Sequence, residues 1–144
     1  PATFITQTRN IADADFQGAE LELSQQFGAL RNFVNYTYQR AVNSSTAKDL
    51  VYSPKDRGNF GILYGDALGN SCGLTIRLVG KQYTQEDNSA SIPAYSVLDL
   101  TLAKTIADMK LSLKAENLLN ESYQESADYP MPGQSLTAGV EYKW

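Results

Sequence analysis

GQSLTAGVEYKW, residues 133–144, alternates apolar and polar side chains from Leu136 onward. Strict alternation with a period of two is typical of a β-strand that has one apolar and one polar face. The sequence stops on an aromatic residue, where a soluble protein usually ends in a frayed polar tail, and an aromatic strand end suits a membrane interface. These residues therefore predict a strand of a transmembrane β-barrel. Its apolar row is Leu136, Ala138, Val140, Tyr142 and Trp144.

The same period of two recurs along the whole chain, and no segment has the pattern of a helix. We predict an all-β, antiparallel, up-and-down arrangement of about eight strands in one segment, 1–144, with no domain boundary. The links between the predicted strands alternate in length, with long links at 42–54, 84–92 and 118–133 and short links at 28–30, 66–70 and 105–108. Alternate links of an antiparallel meander lie at opposite ends, as in outer-membrane barrels with short turns on one side and long loops on the other. The predicted strands are 2–9, 16–27, 31–41, 55–65, 71–83, 93–104, 109–117 and 134–144.

Each strand has an apolar row, but alternation alone does not say whether that row faces inward or outward. In a lipocalin-type barrel the apolar side encloses a ligand, whereas in a membrane barrel it faces lipid. Aromatic residues toward the strand ends and charges of both signs on the opposite row favour the membrane barrel. The predicted lipid-facing residues are Leu21, Leu23, Tyr36, Ile62, Leu74, Ile76, Leu78, Leu98, Leu100, Leu102, Leu111 and Leu113. The predicted lumen-facing residues are Glu20, Glu22, Arg77, Lys81, Asp99, Lys114 and Glu116.

Composition excludes several other classes of function. The 144 residues are 42% hydrophobic and 19% charged with a net charge of −4, which matches neither a disordered chain nor a nucleic-acid binder. No apolar run approaches the ~18 residues that a transmembrane helix needs. The sequence contains no histidine, which removes His-based triads and HExxH zinc sites, and we predict neither an enzyme nor a cofactor or metal site. Because the chain opens on Pro1 without a signal peptide, we interpret it as a processed chain or a piece of a longer one.

Several stretches resemble the C-terminal part of the β-barrel of a TonB-dependent outer-membrane receptor. Gly18 to Glu22 resembles the family's G-x-E-L-E strand, Val79 to Tyr83 a strand end, and Ile92 to Leu100 the start of the next strand. Glu116 to Tyr123 (ENLLNESY) resembles the penultimate strand end, N-L-F-D/N-x-x-Y, and YPMPG at 129–133 leads into the terminal strand. The family commonly has Arg after Pro-Gly, where this sequence has Gln134, so we expect a lumen-side or loop salt bridge of the family to be absent here.

The resemblance implies a function and a set of partners. Receptors of this kind form 22-stranded barrels with a plugged lumen, so eight strands would supply roughly a third of the wall. The plug is absent from this sequence. The implied location is the bacterial outer membrane, and the implied role is uptake of a metal chelate such as a ferric siderophore, haem or cobalamin. The implied partners are membrane lipid, the remainder of the receptor, the TonB energy-coupling complex that acts through the plug, and the outer-membrane assembly machinery, which would read the terminal row as a signal.

Alternatives to the receptor interpretation stay open at this point. The chain could be a complete eight-stranded barrel, either a small outer-membrane structural protein or a lipocalin-like carrier. A barrel enzyme is disfavoured by the missing histidine. The lumen-facing charges could steer an anionic or metal-bearing ligand, but a solvated, mutually neutralising lining is the favoured interpretation.

Overall fold

Seven long strands form one antiparallel sheet in a computed structural model that describes residues 13–144. The order across the sheet is β1-β2-β3-β4-β7-β8-β11, and two small two-stranded ladders, β5-β6 and β9-β10, lie in the long loops. Within this range the secondary structure is all β, with no helix. The strands are β1 (Ala14–Phe27), β2 (Leu30–Asn43), β3 (Asp56–Gly65), β4 (Asn70–Val79), β5 (Gln82–Tyr83), β6 (Ser91–Ile92), β7 (Tyr95–Ile106), β8 (Met109–Glu116), β9 (Gln124–Ser126), β10 (Tyr129–Pro130) and β11 (Ser135–Tyr142).

The all-β antiparallel fold predicted from the sequence is confirmed, with two strands markedly shorter than predicted. The terminal strand, predicted at 134–144, covers Ser135–Tyr142. The predicted strand 2–9 lies outside the described residues. The predicted strand 71–83 ends at Val79, because the Gly80 N–H bonds to the Asp56 carbonyl (2.8 Å) and the chain then leaves the sheet. Lys81 consequently lies outside the strand in which its lumen-facing position was predicted, so the alternation of β4 does not assign it to a face.

The links alternate in length as the sequence indicated. Tight turns at 28–29, 66–69 and 107–108 lie at one end of the sheet, which we call the turn end. Gly69 has φ +80°, and a Cβ there would approach the Thr105 carbonyl oxygen to 2.7 Å, so glycine suits this position both conformationally and sterically. The long loops 44–55, 80–94 and 117–134 lie at the opposite end, and together we call them the rim.

Polar contacts connect the three loops of the rim. Asp49 and Asn88 form a reciprocal pair, in which the Asn88 side chain donates to the Asp49 carbonyl (2.9 Å) and accepts from the Asp49 N–H (3.0 Å). The Tyr52 N–H also donates to the Tyr83 carbonyl (2.8 Å), and Gln82 Nε2 reaches the carbonyl of Glu125 (3.2 Å). Each loop is therefore braced against a neighbour.

The sheet is a single layer without a packed core of the globular kind. Fully or nearly fully buried side chains are few, and most lie near the rim, among them Pro54, Gln82, Ile92 and Asn117. Large apolar residues of the main strands stay exposed, with Val140 at 71%. Across residues 13–144 no helix is long and apolar enough to cross a membrane. The edge strands β1 and β11 do not pair with each other, so residues 13–144 form an open sheet.

Candidate functional site on the polar face of the sheet

The register of the sheet gathers the predicted apolar residues on one side, which we call the apolar face. Partners across an antiparallel ladder point to the same side, so Phe60, Ile76 and Leu98 form one continuous row across three strands. The next row contains Ile62, Leu74 and Leu100. All twelve residues predicted to face lipid share this face, as do the terminal-row residues of β11; Trp144 lies beyond the end of that strand. The shared set is Leu21, Leu23, Tyr36, Ile62, Leu74, Ile76, Leu78, Leu98, Leu100, Leu102, Leu111, Leu113, Leu136, Ala138, Val140 and Tyr142.

The opposite side, which we call the polar face, holds six of the seven predicted lumen-facing residues. These are Glu20, Glu22, Arg77, Asp99, Lys114 and Glu116. Lys114 and Glu116 form an ion pair at 2.7 Å, so part of the charge on this face is neutralised locally. Lys81, the seventh, places its ammonium 4.4 Å from the ring centre of Tyr83 at the rim, a cation–π contact.

Tyrosines mark both ends of the apolar face. Tyr36 and Tyr38 lie toward the rim, and the Tyr36 hydroxyl donates to the Asp56 carboxylate. Tyr64 and Tyr142 lie toward the turn end. Amphipathic aromatic residues at both ends of an apolar band are the pattern of transmembrane barrel strands.

A cluster of side chains joins the rim to the polar face. Arg77 of β4 donates to the Glu125 carboxylate (2.8 Å) and to the Tyr123 hydroxyl (3.3 Å), and both acceptors belong to the loop 117–134. The rings of Tyr95 and Tyr123 stack with centres 4.5 Å apart. The loop 117–134 therefore folds back over the rim ends of β4 and β7, where one ion pair and one aromatic contact hold it.

Asn117 fixes the start of this loop. It is 3% exposed and adopts φ +52°, a conformation that asparagine tolerates better than most residues. Its amide donates to the carbonyls of Glu121 (2.9 Å) and Pro132 (3.3 Å) and accepts from the Glu121 N–H (2.8 Å). Its own N–H donates to the Asp99 carboxylate (2.9 Å). Asn117, the asparagine of the ENLLNESY stretch, therefore holds the start of the loop in place through these hydrogen bonds.

A cavity of about 490 Å³ opens between this cluster and the polar face. Arg57 and Arg77 line it from the sheet, and Tyr52, Gln82 and Glu125 line it from the rim. Arg57 makes no ion pair or side-chain hydrogen bond within residues 13–144, whereas Arg77 is held by Glu125. Guanidinium groups bind carboxylates and other oxyanions bidentately, so this cavity can hold a polar ligand that carries anionic oxygens.

Of the residues in this cluster and cavity, only Arg77 was among the predicted site residues. The others, which the sequence reasoning missed, are Tyr52, Arg57, Gln82, Tyr95, Asn117, Tyr123 and Glu125. Arg57 and Tyr95 occupy polar-face positions that the alternation of β3 and β7 could have shown. Glu125 is 48 residues from Arg77 and lies in an irregular loop, where periodicity carries no signal. No group of three or more metal-ligating side chains occurs among the described residues.

Comparison with known proteins identifies the family. The family model described as TonB dependent receptor-like, beta-barrel matches residues 1–118. The ferrioxamine receptor of Yersinia enterocolitica is 27% identical over 120 residues, covering 79% of this chain and 16% of that receptor.

Solved structures agree in fold. The siderophore receptor PiuA of Acinetobacter baumannii superposes with a TM-score of 0.77 at 19% identity, over 91% of this chain and 22% of that one. The copper transporter OprC superposes with a TM-score of 0.74 at 25% identity, over 90% of this chain and 23% of that one. The chain thus spans about a fifth of the length of these structures.

An open antiparallel sheet with one apolar and one polar face, tight turns at one end and long loops at the other, is a section of a transmembrane β-barrel wall. The match over residues 1–118 then identifies the kind of barrel, and the chain belongs to the TonB-dependent receptor β-barrel family.

Proposed function

We propose that the chain forms part of the barrel wall of an outer-membrane receptor that takes up a ferric siderophore. The single observation that carries this proposal is the separation of the sheet into two chemically distinct faces in a chain that belongs to the TonB-dependent receptor family. The apolar face lies against lipid and the polar face lines the lumen. The rim faces the exterior of the cell and contributes to ligand capture.

The orientation of the two faces follows from the free energy of charged groups in a bilayer. A Lys or Arg on the lipid side at the bilayer midplane costs ~2–4 kcal/mol, whereas a hydrated lumen accepts charges of either sign. The strand centres follow this rule, since Leu74 and Leu100 lie on the apolar face and Asp99 and Lys114 lie on the polar one. The reverse orientation would place Asp99 and Lys114 in hydrocarbon.

The cavity beside Arg57 and Arg77 is the proposed contact of this segment with the cargo. Two guanidinium groups and the hydroxyl groups of Tyr52 and Tyr95 suit the oxygen-rich surface of a metal chelate. The printed names of the ferrioxamine receptor and of PiuA support a siderophore as cargo, while the name of OprC makes copper the alternative. In the whole receptor the remaining strands, the plug and the TonB energy-coupling complex would complete the transport machinery.

The row Leu136, Ala138, Val140, Tyr142 and Trp144 is proposed as the strand read by the outer-membrane assembly machinery. The supporting observation is that β11 pairs on one side with β8 and has its other edge unpaired within residues 13–144. An unpaired edge together with an apolar row is what β-augmentation recognises.

The proposed function is tested with the full-length receptor in a host that lacks its own siderophore receptors. Under iron limitation, we expect growth on a ferric siderophore to depend on the receptor and to fall in the Arg57→Ala, Arg77→Ala double variant. Arg31→Ala is the matched control, because Arg31 lies on the same polar face at the turn end, far from the cavity. Growth that stays independent of the receptor for every ferric siderophore, or that tracks copper supply instead, would contradict the proposed cargo.

A further inference from the structure

Lys104 is a cation on the apolar face. It continues the alternation of Leu98, Leu100 and Leu102 along β7, and its ladder partners are Asn70 on one side and Leu111 on the other. The side chain is half-buried and lies near the turn end. A charged residue that follows Leu98, Leu100 and Leu102 requires a specific polar environment, because these neighbours along β7 are apolar.

Part of that environment is the turn 66–69. Lys104 Nζ donates to the Leu68 carbonyl (3.0 Å) and to Asn70 Oδ1 (2.8 Å). An ammonium group has three donors, so one N–H remains after these two bonds. The side chain therefore presents a fixed, partly satisfied cation at the edge of the apolar face.

Asp66, the acidic residue of this turn, is engaged elsewhere. Its Oδ1 accepts from the Leu68 and Asn70 N–H groups (3.0 and 2.9 Å), and its Oδ2 accepts from Asn70 Nδ2 (2.6 Å) and from the Tyr64 hydroxyl (3.1 Å). These four bonds fill the acceptor positions of the carboxylate. The hydrogen bond from the Asn70 side chain is the largest of the effects that lower the Asp66 pKa, so this group stays ionised at neutral pH without forming an ion pair with Lys104.

The three ion pairs among residues 13–144 all lie elsewhere, so Lys104 has no carboxylate partner in this part of the chain. We infer that Lys104 binds the phosphate group of a phospholipid in the membrane leaflet at the turn end. This inference rests on the proposed orientation of the apolar face toward lipid. A phosphate accepts the remaining N–H, and the acyl chains continue along the apolar face beside Leu102 and Leu111.

Two further features place the headgroup region at this level. Tyr64 is joined to Lys104 through the Asp66–Asn70 network, and a tyrosine on the outer row of a barrel strand marks the interface. Leu68 at the tip of the turn is 76% exposed. Lys104 of β7, Tyr64 of β3 and Leu68 of the turn 66–69 thus lie at the same end of the sheet, and a cation, an aromatic residue and an exposed leucine together are the composition of an interfacial anchor.

The test uses the full-length receptor in nanodiscs of phosphatidylethanolamine and phosphatidylglycerol, with native mass spectrometry to measure the phospholipid that each receptor retains. We expect Lys104→Gln to lower the affinity for retained phospholipid about fivefold, which corresponds to the ~1 kcal/mol gained by a basic side chain near an anionic membrane surface. Lys104→Arg should restore retention. Lys110→Gln is the matched control, because Lys110 lies on the polar face of the neighbouring strand β8.

Heat-modifiable migration in electrophoresis establishes that each variant is folded. Asn70→Ala is a second variant, which removes the hydrogen-bond partner that orients Lys104 but keeps the charge, and we expect it to lose less phospholipid than Lys104→Gln. Unchanged retention in folded Lys104→Gln, or an equal loss in Lys110→Gln, would overturn the inference. Displacement of the lipid by inorganic phosphate alone would overturn the assignment to a phospholipid. Lysine substitutions at positions 74 and 75 test the orientation of the apolar face toward lipid separately. A failure of the Lys104 inference alone therefore leaves the proposed function standing.

Discussion

The orientation of the sheet can be tested at the centre of β4, where Leu74 and Thr75 are adjacent and point to opposite faces. Four residues of the strand precede Leu74 and four follow Thr75. A strand of this length spans roughly 33 Å, which at the usual tilt of ~45° covers about 23 Å across the membrane and brings these two positions close to the midplane. Substitution of each by lysine therefore places the same charge at the same depth on the two faces.

The expected magnitudes differ because the neighbours differ. Leu74 lies between Ile62 and Leu100, so Leu74→Lys introduces an unpaired ammonium among apolar side chains at the midplane and should destabilise the receptor by ~2–4 kcal/mol. That range corresponds to a change of roughly 30- to 700-fold in the unfolding equilibrium constant. Thr75 lies beside Asp99, so Thr75→Lys gains an opposite charge on the hydrated side and should change stability by less than about 1 kcal/mol.

The assay is urea-induced unfolding of the full-length receptor in phospholipid vesicles, followed by intrinsic fluorescence and by heat-modifiable migration. The two variants carry the same added charge, so non-specific effects of charge cancel in the comparison. Equal destabilisation by the two substitutions, or a larger effect of Thr75→Lys, would refute the assignment of the apolar face to lipid.

Two other contacts lead to defined expectations. Arg77→Ala should loosen the loop that Glu125 anchors and increase the cleavage of this loop by an added protease. Because the Arg77 and Glu125 side chains are both 41% exposed, a double-mutant cycle should give a coupling free energy of only ~0.2–1 kcal/mol. Zero coupling together with unchanged cleavage would contradict the role of this pair. Gly61→Ala would bring a Cβ within 2.2 Å of the Phe33 ring, so it should cost ~1–3 kcal/mol in urea unfolding and be relieved by a smaller residue at position 33. Gly65→Ala is its control, since a Cβ there meets nothing within 4 Å, and an equal effect of both substitutions would count against the packing argument.

Most of the wall could be predicted from the sequence because both of its features repeat with a fixed period. A strand with one apolar face requires alternation, and the register then carries every predicted apolar residue to the same side, as Ile62, Leu74 and Leu100 show. The length of the links likewise reports which end of the sheet each occupies. The end of β4 was misplaced because the alternation continues through Gly80 and Lys81, while the backbone bond from Gly80 to Asp56 that takes the chain out of the sheet has no counterpart in the pattern.

The cluster at the rim could not be predicted in the same way. Arg77 lies on the polar face, but its partner Glu125 comes from a loop whose start is held by Asn117. Lys104 stands in the apolar row of β7, and the sequence by itself offers no reason for a charge there. The reason lies about 35 residues earlier in the chain, where Leu68 of the turn 66–69 and Asn70, the first residue of β4, supply its two acceptors.

The bracing of the rim has a consequence for engineering ligand specificity by loop exchange. The side chain of Asn88 is paired with the backbone of Asp49 in the preceding long loop, and Gln82 is paired with the backbone of Glu125 in the following one. A single loop grafted from a related receptor would arrive without these counterparts and would leave polar groups of the recipient unmatched. Chimeras that transplant all three loops as a unit should therefore fold and transfer selectivity, whereas one-loop chimeras should lose both.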